Sequence, residues 1–357
     1  MNKLFGLILL FFFCSLSGGG NLGMDSDGPS AAAPNLARAT QLPVKPRLMP
    51  LIYDDDGSPD GTLATLYLLA NPDVDLKVIS ISYGEATPSV YIQHIGNMLD
   101  LFDISGITLG AGNNAPLAGS NSFPDWLTES ADAFWHMQMP TTGKKYPSRP
   151  AADLIISTIQ KSPEPITLYF AGAYTSLAQA LRDDPTIVNN IEAVYLMGGA
   201  VHVPGNIHDF YPSDANIYAE WNIYVDPQAA KEVFESGLDL YLVPLDATNQ
   251  VLVSRHDTTA WREGGQLADM AADLWDSMIS TWSADEVMMW DLTAAIAMME
   301  PQFCSFIPLH LDVVTLDRTH AGQTVVVPGA EPNIAVCLDP QADRMRQHLI
   351  EVFANSP

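Results

Sequence analysis

The sequence predicts an α/β protein: a mostly parallel central sheet with helices on both faces, and a small β-rich appendage near the C-terminus. Two observations carry this. Short, continuously apolar runs rich in Val and Ile alternate with stretches of helical periodicity, as in a sheet buried on both sides. Beyond about residue 310 the pattern changes to short strands broken by Gly and Pro. In chain order, residues 48–53 read as a strand and 62–70 as a helix ending at Asn71-Pro72. Residues 76–83 form a second strand, 91–102 a helix and 107–110 a third strand. Further strands fall at 166–170, 193–197 and 240–244, each followed by a helix or return loop. The tail contributes strands at 310–316, 324–327 and 333–338 before a closing helix from about Gln341. Sheets of this kind place ligands at the carboxyl ends of their strands, so the polar residues there are the candidates for function.

The 357 residues are 47% hydrophobic, enough for a substantial core. Asp and Glu outnumber Lys and Arg by 42 to 16, a formal net charge of −26. Such a surface repels nucleic-acid phosphates and anionic lipid, so neither a polynucleotide nor a membrane-surface partner is expected. Met1-Asn2-Lys3, the apolar run 4–13 and the mostly small residues 15–20 read as a signal peptide over 1–19. A Gly/Ser/Ala/Pro-rich flexible leader covers 20–47, and the folded domain 48–357. The expected location is secreted or periplasmic. Cys14 raises a lipoprotein anchor as the alternative, which Phe13 before it disfavours. In an oxidising compartment Cys304 and Cys337 either pair or stay as buried thiols; the sequence leaves this open.

The most informative segment is Asp54-Asp55-Asp56-Gly57-Ser58-Pro59-Asp60. Four carboxylates in seven residues repel one another unless a cation or strong donors hold them. With no soft ligand nearby, a hard oxygen-binding ion such as Ca²⁺ or Mg²⁺ fits, and helix capping or simple solvation is the alternative. The strand Leu51-Ile-Tyr-Asp-Asp-Asp56 followed by Asp60 resembles the Asp-x-Asp-x-x-x-Asp-Asp signature of the inosine-uridine preferring nucleoside hydrolase family. The resemblance continues in order through Ile79 to Glu85, Ala171-Gly172 with Thr175, and Tyr195-Leu-Met-Gly-Gly199. It then runs through Glu220-Trp-Asn222 with Asp226-Pro227, Leu245-Asp246 and Trp290-Asp291. It covers roughly residues 48–355, and its base-binding residues resemble the purine-preferring branch.

That resemblance implies a Rossmann-like nucleoside hydrolase core and hydrolysis of the N-glycosidic bond of ribonucleosides, through an oxocarbenium-like state, to free base and ribose. It also implies Ca²⁺ as cofactor and Asp56 as metal ligand and general base. The remaining metal ligands would be Asp291, the Ala171 carbonyl and Glu85. Asp60, Glu85, Met197, Glu220, Asn222 and Asn206 would contact substrate, with Asp54 supporting from behind; Asp214 or Asn216 are alternatives to Asn206. Trp290 and Trp126 would sandwich the base, with Trp135 as the alternative to Trp126, and residues 115–147 would form a mobile wall over it. His136 and His208 are weaker base-contact candidates. A homodimer or homotetramer is the expected assembly, with no membrane contact once the signal is removed.

Two departures stand out. Gly61 occupies the place of the family's second paired aspartate, a calcium ligand, and Glu85 the place of an asparagine. The expectation is that Glu85 compensates for Gly61. The competing readings are an altered ribosyl substrate, and an exported nucleoside- or ribose-binding protein without catalysis.

Overall fold

The computed structural model describes residues 48–138, 143–211, 214–317 and 319–356. The expected signal peptide, leader and Cys14 lie outside them. Among the described residues no helix is long and apolar enough to cross a membrane.

The chain runs β1 (Met49–Asp55), α1 (Pro59–Ala70), β2 (Val74–Ile81), α2 (Pro88–Leu101), β3 (Thr108–Ala111), α3 (Asp125–Asp132), β4 (Arg149–Pro150), α4 (Ala151–Lys161), β5 (Ile166–Phe170) and α5 (Thr175–Asp183). It continues through β6 (Ile191–Met197), α6 (Ile207–Phe210), α7 (Trp221–Val225), α8 (Pro227–Phe234), β7 (Leu240–Val243), α9 (Leu245–Thr248), β8 (Leu252–Ser254), α10 (Arg255–Trp261) and α11 (Gln266–Thr281). The last elements are β9 (Glu286–Met288), α12 (Trp290–Met299), β10 (Cys304–Leu309), β11 (Leu311–Val313), β12 (Thr324–Val326), β13 (Ile334–Pro340) and α13 (Ala342–Ala354).

Nine strands form the main sheet in the order β10-β13-β7-β6-β5-β1-β2-β3-β4. The pairs from β13 to β4 are parallel and only β10 runs antiparallel. The chain winds outward from β1 through β2 to β4, then returns to the other side of β1 at β5. The order therefore reverses at β1, and the carboxyl end of such a switch point opens a crevice. Of the C-terminal strands, β10 and β13 extend the main sheet, while β11 and β12 make a separate antiparallel ribbon. Cys304 and Cys337 are joined in a disulfide across β10 and β13, with their Cα atoms 5.8 Å apart.

Side-chain alternation along β1 divides the core in two. Leu51 and Tyr53 pack under α1, α2, α11, α12 and α13, whereas Ile52 packs with residues of α4, α5 and α8 on the other face. Each fully buried side chain of this size contributes about 1.5–3 kcal/mol. Strand β1 is longer than its apolar run predicts, because Asp54 and Asp55 continue it, paired to Ser80 and Ile81 of β2. These two aspartates therefore lie within the strand, not after it. Helix α1 starts where Ser58 caps it, accepting from the Gly61 N–H, with Pro59 in the first turn.

Candidate active site

The carboxyl ends of β1, β2, β5 and β6, with the starts of α7 and α12, enclose a deep cleft. Its floor carries Asp56, Asp60, Glu85, Glu220 and Asp291, together with Ala171, Met197 and Asn222. Among the described residues no Lys or Arg lines it. Its upper walls are aromatic: Phe123, Trp126, Trp135, Phe210, Trp221, Trp275, Trp282 and Trp290.

Each floor residue has a local reason for its place. Asp56 follows β1 and is seated between two glycines. A Cβ at Gly84 would stand 2.2 Å from its Oδ2, and one at Gly172 2.7 Å from its Cβ. The Glu85 N–H donates to Asp56 Oδ2 at 3.2 Å. Asp60, in the first turn of α1, accepts from the Asp291 N–H at 2.9 Å, so it also caps α12. Ser58 Oγ donates to Asp291 Oδ2 at 2.8 Å and ties the two helix starts together. Tyr169 donates to the Asp291 carbonyl and Tyr53 to the Gly61 carbonyl from beneath.

Glu220 combines two roles. It caps α7 through the Asn222 and Ile223 N–H groups and accepts from the Gly199 N–H, while its carboxylate still faces the cleft. Asn222 Nδ2 donates to the Met197 carbonyl at 3.1 Å and the Ala171 carbonyl at 3.4 Å, binding the ends of β5 and β6 to α7. Asn206 lines the cleft and accepts from the Trp221 N–H. Asn216 instead holds its own loop through Tyr218, Ala219 and the Ala321 carbonyl, and Asp214 accepts from the Asn216 N–H. Asp54 lies behind the floor, fully buried, accepting from Ser80 Oγ at 2.5 Å.

Burial dominates the electrostatics. It raises Asp56 to about 8, opposed by the Glu85 N–H and reinforced by Asp60 and Glu220. It lifts Asp54 and Glu220 each to about 7. Asp55, Glu85 and Asp291 are held well above the usual carboxylate range by burial and then by neighbouring carboxylates. Asp55 Oδ2, Glu85 Oε2 and Asp54 Oδ1 are buried without hydrogen-bond partners. Among the described residues no three acidic, histidine or cysteine groups are already gathered into a closed metal-ligand set. The donors nonetheless fit a hard divalent cation: all are oxygen, several have unused lone pairs, and no basic side chain balances them.

On the aromatic side, Trp126 is 54% exposed at the rim. Trp290 donates to Asn249 Oδ1 and packs against Trp282 at 5.9 Å between ring centroids. Trp135 donates to the Gly57 carbonyl at 3.0 Å. It sits in a turn where Phe134, Trp135 and His136 all have positive φ, between 53° and 59°. Three consecutive non-glycine residues in that region is an uncommon conformation, and it turns both Trp135 and His136 into the cleft. His136 is therefore a cleft residue, whereas His208 does not line the cleft and His202 lies where its N–H meets Asp246.

Sequence reasoning missed Asp55, Ser58, Trp221, Trp275 and Trp282. Only Asp55 and Ser58 left a local signal, by lying inside the acidic turn.

The site is thus a pocket with a carboxylate floor and an aromatic wall, built at the switch point of a mostly parallel sheet. Residues 51–347 match the family model described as inosine-uridine preferring nucleoside hydrolase, and the chain belongs to that family. It is a ribonucleoside N-glycosyl hydrolase acting on small nucleosides, in a family that generally binds a metal ion. It is 27% identical over 301 residues to the pyrimidine-specific ribonucleoside hydrolase RihA of Citrobacter koseri, covering 82% of this chain and 93% of that one. In fold it is similar to the purine-preferring ribonucleoside hydrolase of Gardnerella vaginalis (TM-score 0.74, 24% identity, 85% and 98% of the two chains). It is likewise similar to the inosine-uridine preferring nucleoside hydrolase of Bacillus anthracis (TM-score 0.74, 23% identity, 86% and 100%).

Proposed function

We propose that this chain is an exported, Ca²⁺-dependent nucleoside hydrolase with a preference for purine nucleosides, using Asp56 as general base. The observation that carries the reading is a floor of five carboxylates, with no Lys or Arg among the described residues that line the cleft, beneath a wall of tryptophans.

Asp56, Asp291, Glu85 and the Ala171 carbonyl would hold the cation. When bound, it supplies positive charge that neutralises the floor and makes water there more acidic. Asp60, Glu220 and Asn222 bind the ribose hydroxyls, with Asn206 and Met197 completing the sugar side. Asp56 takes a proton from the attacking water as its oxygen bonds to C1′ and the C1′–N bond breaks. The surrounding carboxylates stabilise the positive charge developing on the sugar ring. The base leaves between Trp126 and Trp290, with Trp135 alongside, and solvent returns the proton to it. Indole stacking favours the larger purine ring system. The disulfide between Cys304 and Cys337 supports export, since such bonds persist in oxidising compartments.

Incubation of the mature protein with inosine, adenosine, guanosine and uridine, with Ca²⁺ or with chelator, tests the reading. The expected result is base release faster from purines and abolished by chelator. Faster uridine cleavage overturns the purine preference, full activity in chelator overturns the cation, and binding without turnover overturns the catalysis.

A further inference from the structure

Asp55 is the buried acid that the mechanism above does not use. Strand alternation puts it on the face of β1 shared by Tyr53, beneath the starts of α1 and α12. On that face Tyr53 donates to the Gly61 carbonyl, and Tyr169 of the neighbouring strand donates to the Asp291 carbonyl. Asp55 is 0% exposed. Its Oδ1 accepts from the Asp56 N–H at 2.8 Å, but its Oδ2 has no partner. An ionised carboxylate so deep, with one oxygen unused, is costly unless a cation or donor meets it.

The decisive contact is with Gly61. A Cβ built on Gly61 would fall 1.9 Å from Asp55 Oδ1, 2.6 Å from its Cγ and 2.7 Å from Ser58 Oγ. The Asp55 carboxylate therefore stands where a side chain at position 61 would begin. The two positions are mutually exclusive: an acid at 55 requires glycine at 61, and an acid at 61 requires a smaller or displaced residue at 55.

We propose that Asp55 is a further cation-holding residue of this site, a carboxylate transferred from the start of α1 to the end of β1, with Gly61 as its necessary partner. This rests on the cation reading above and sharpens it. The carboxylate missing at 61 is supplied first by Asp55, from the same small volume, and Glu85 adds to the floor from the loop after β2.

Calcium titration calorimetry on chelator-treated full-length protein tests this, with melting temperature followed in parallel. Asp55→Asn keeps the shape and the acceptor for the Asp56 N–H while removing the charge. It should fold and weaken calcium binding at least tenfold. Gly61→Asp alone should lower the melting temperature by collision with Asp55. The Asp55→Ser/Gly61→Asp double variant should recover that temperature and bind calcium at least fivefold more tightly than Asp55→Ser. Calcium binding by Asp55→Asn equal to wild type, or a double variant no tighter than Asp55→Ser, overturns the transfer while leaving the cation reading intact. A wild-type protein that takes up no calcium overturns both.

Discussion

Glu220 offers a pH test that does not depend on turnover. Its side chain is buried and accepts three backbone N–H groups, yet burial outweighs these donors and raises it from 4.5 to about 7. A carboxyl group raised on folding contributes stability that is complete below its unfolded value and is lost as pH climbs through the folded one. The whole span corresponds to roughly 3.4 kcal/mol, of which about 2.5 falls between pH 5 and pH 8.5. For a folded unit of this size that is a fall in melting temperature of about 4 °C. Glu220→Gln removes the titration. It also turns an NH₂ group toward backbone donors, a cost of about 1–3 kcal/mol that is the same at both pH values and cancels. Urea unfolding in chelator at pH 5 and pH 8.5 gives the double difference. Wild type should lose about 2.5 kcal/mol more than Glu220→Gln across that range. Equal losses in the two proteins would refute the assignment of a raised, titrating Glu220.

Three further outcomes are expected. Gly84→Ala puts a methyl 2.2 Å from Asp56 Oδ2, so kcat/KM should drop about 100-fold or more, roughly 3 kcal/mol; activity within threefold of wild type would show that Asp56 need not keep its seat. Replacing both Cys304 and Cys337 by Ser releases a sequence span of 33 residues and should cost about 3–4 kcal/mol, read by denaturant unfolding under non-reducing conditions. An unchanged midpoint would argue against the bond. Trp290→Ala should lower kcat/KM for inosine at least tenfold more than for uridine, since it removes stacking surface worth about 1–3 kcal/mol against the larger ring. Equal losses would remove Trp290 from base selection.

The strands of the main sheet were legible because β5 and β7 are short apolar runs and β1, β2 and β6 each contain one, as expected of a sheet buried on both faces. The boundaries of β1 were not. Asp54 and Asp55 look like loop residues by composition, and only pairing with Ser80 and Ile81 shows that the strand runs through them. Of the C-terminal strands, β11, β12 and β13 were legible singly but not in their pairing, and β10 at Cys304–Leu309 was missed. Nothing local says that residues 334–340 add to β7 while 311–313 and 324–326 pair with each other. On the floor, Asp56, Asp60 and Asp291 could be named from ordered motifs, whereas the Ser58 link to Asp291 spans 233 residues and had no sequence trace. The tryptophan wall drew Trp275, Trp282 and Trp290 from α11, α12 and the segment between them, contributions that tertiary packing alone brings together.

The acidic turn also shows why residue-by-residue comparison of motifs can mislead. Read by position, Gly61 is a lost carboxylate and the site looks damaged. Read by volume, the space beside Gly61 is filled by an acid from the adjoining strand, 1.9 Å from where the missing Cβ would be. Asp54, Asp55 and Asp56 then have three distinct places. Asp54 faces Ser80 behind the floor, Asp55 lies under the starts of α1 and α12, and Asp56 sits in the cleft between Gly84 and Gly172. Alternation sends Asp54 and Asp55 to opposite faces of the sheet, and Asp56 lies just past the strand end. A run of three aspartates at the end of a buried strand is therefore not confined to one face: Asp55 reaches the floor from beneath, Asp56 lies in the cleft, and Asp54 stays behind. It delivers acids to both sides of the sheet, and the glycines opposite them determine which carboxylates have room to stay.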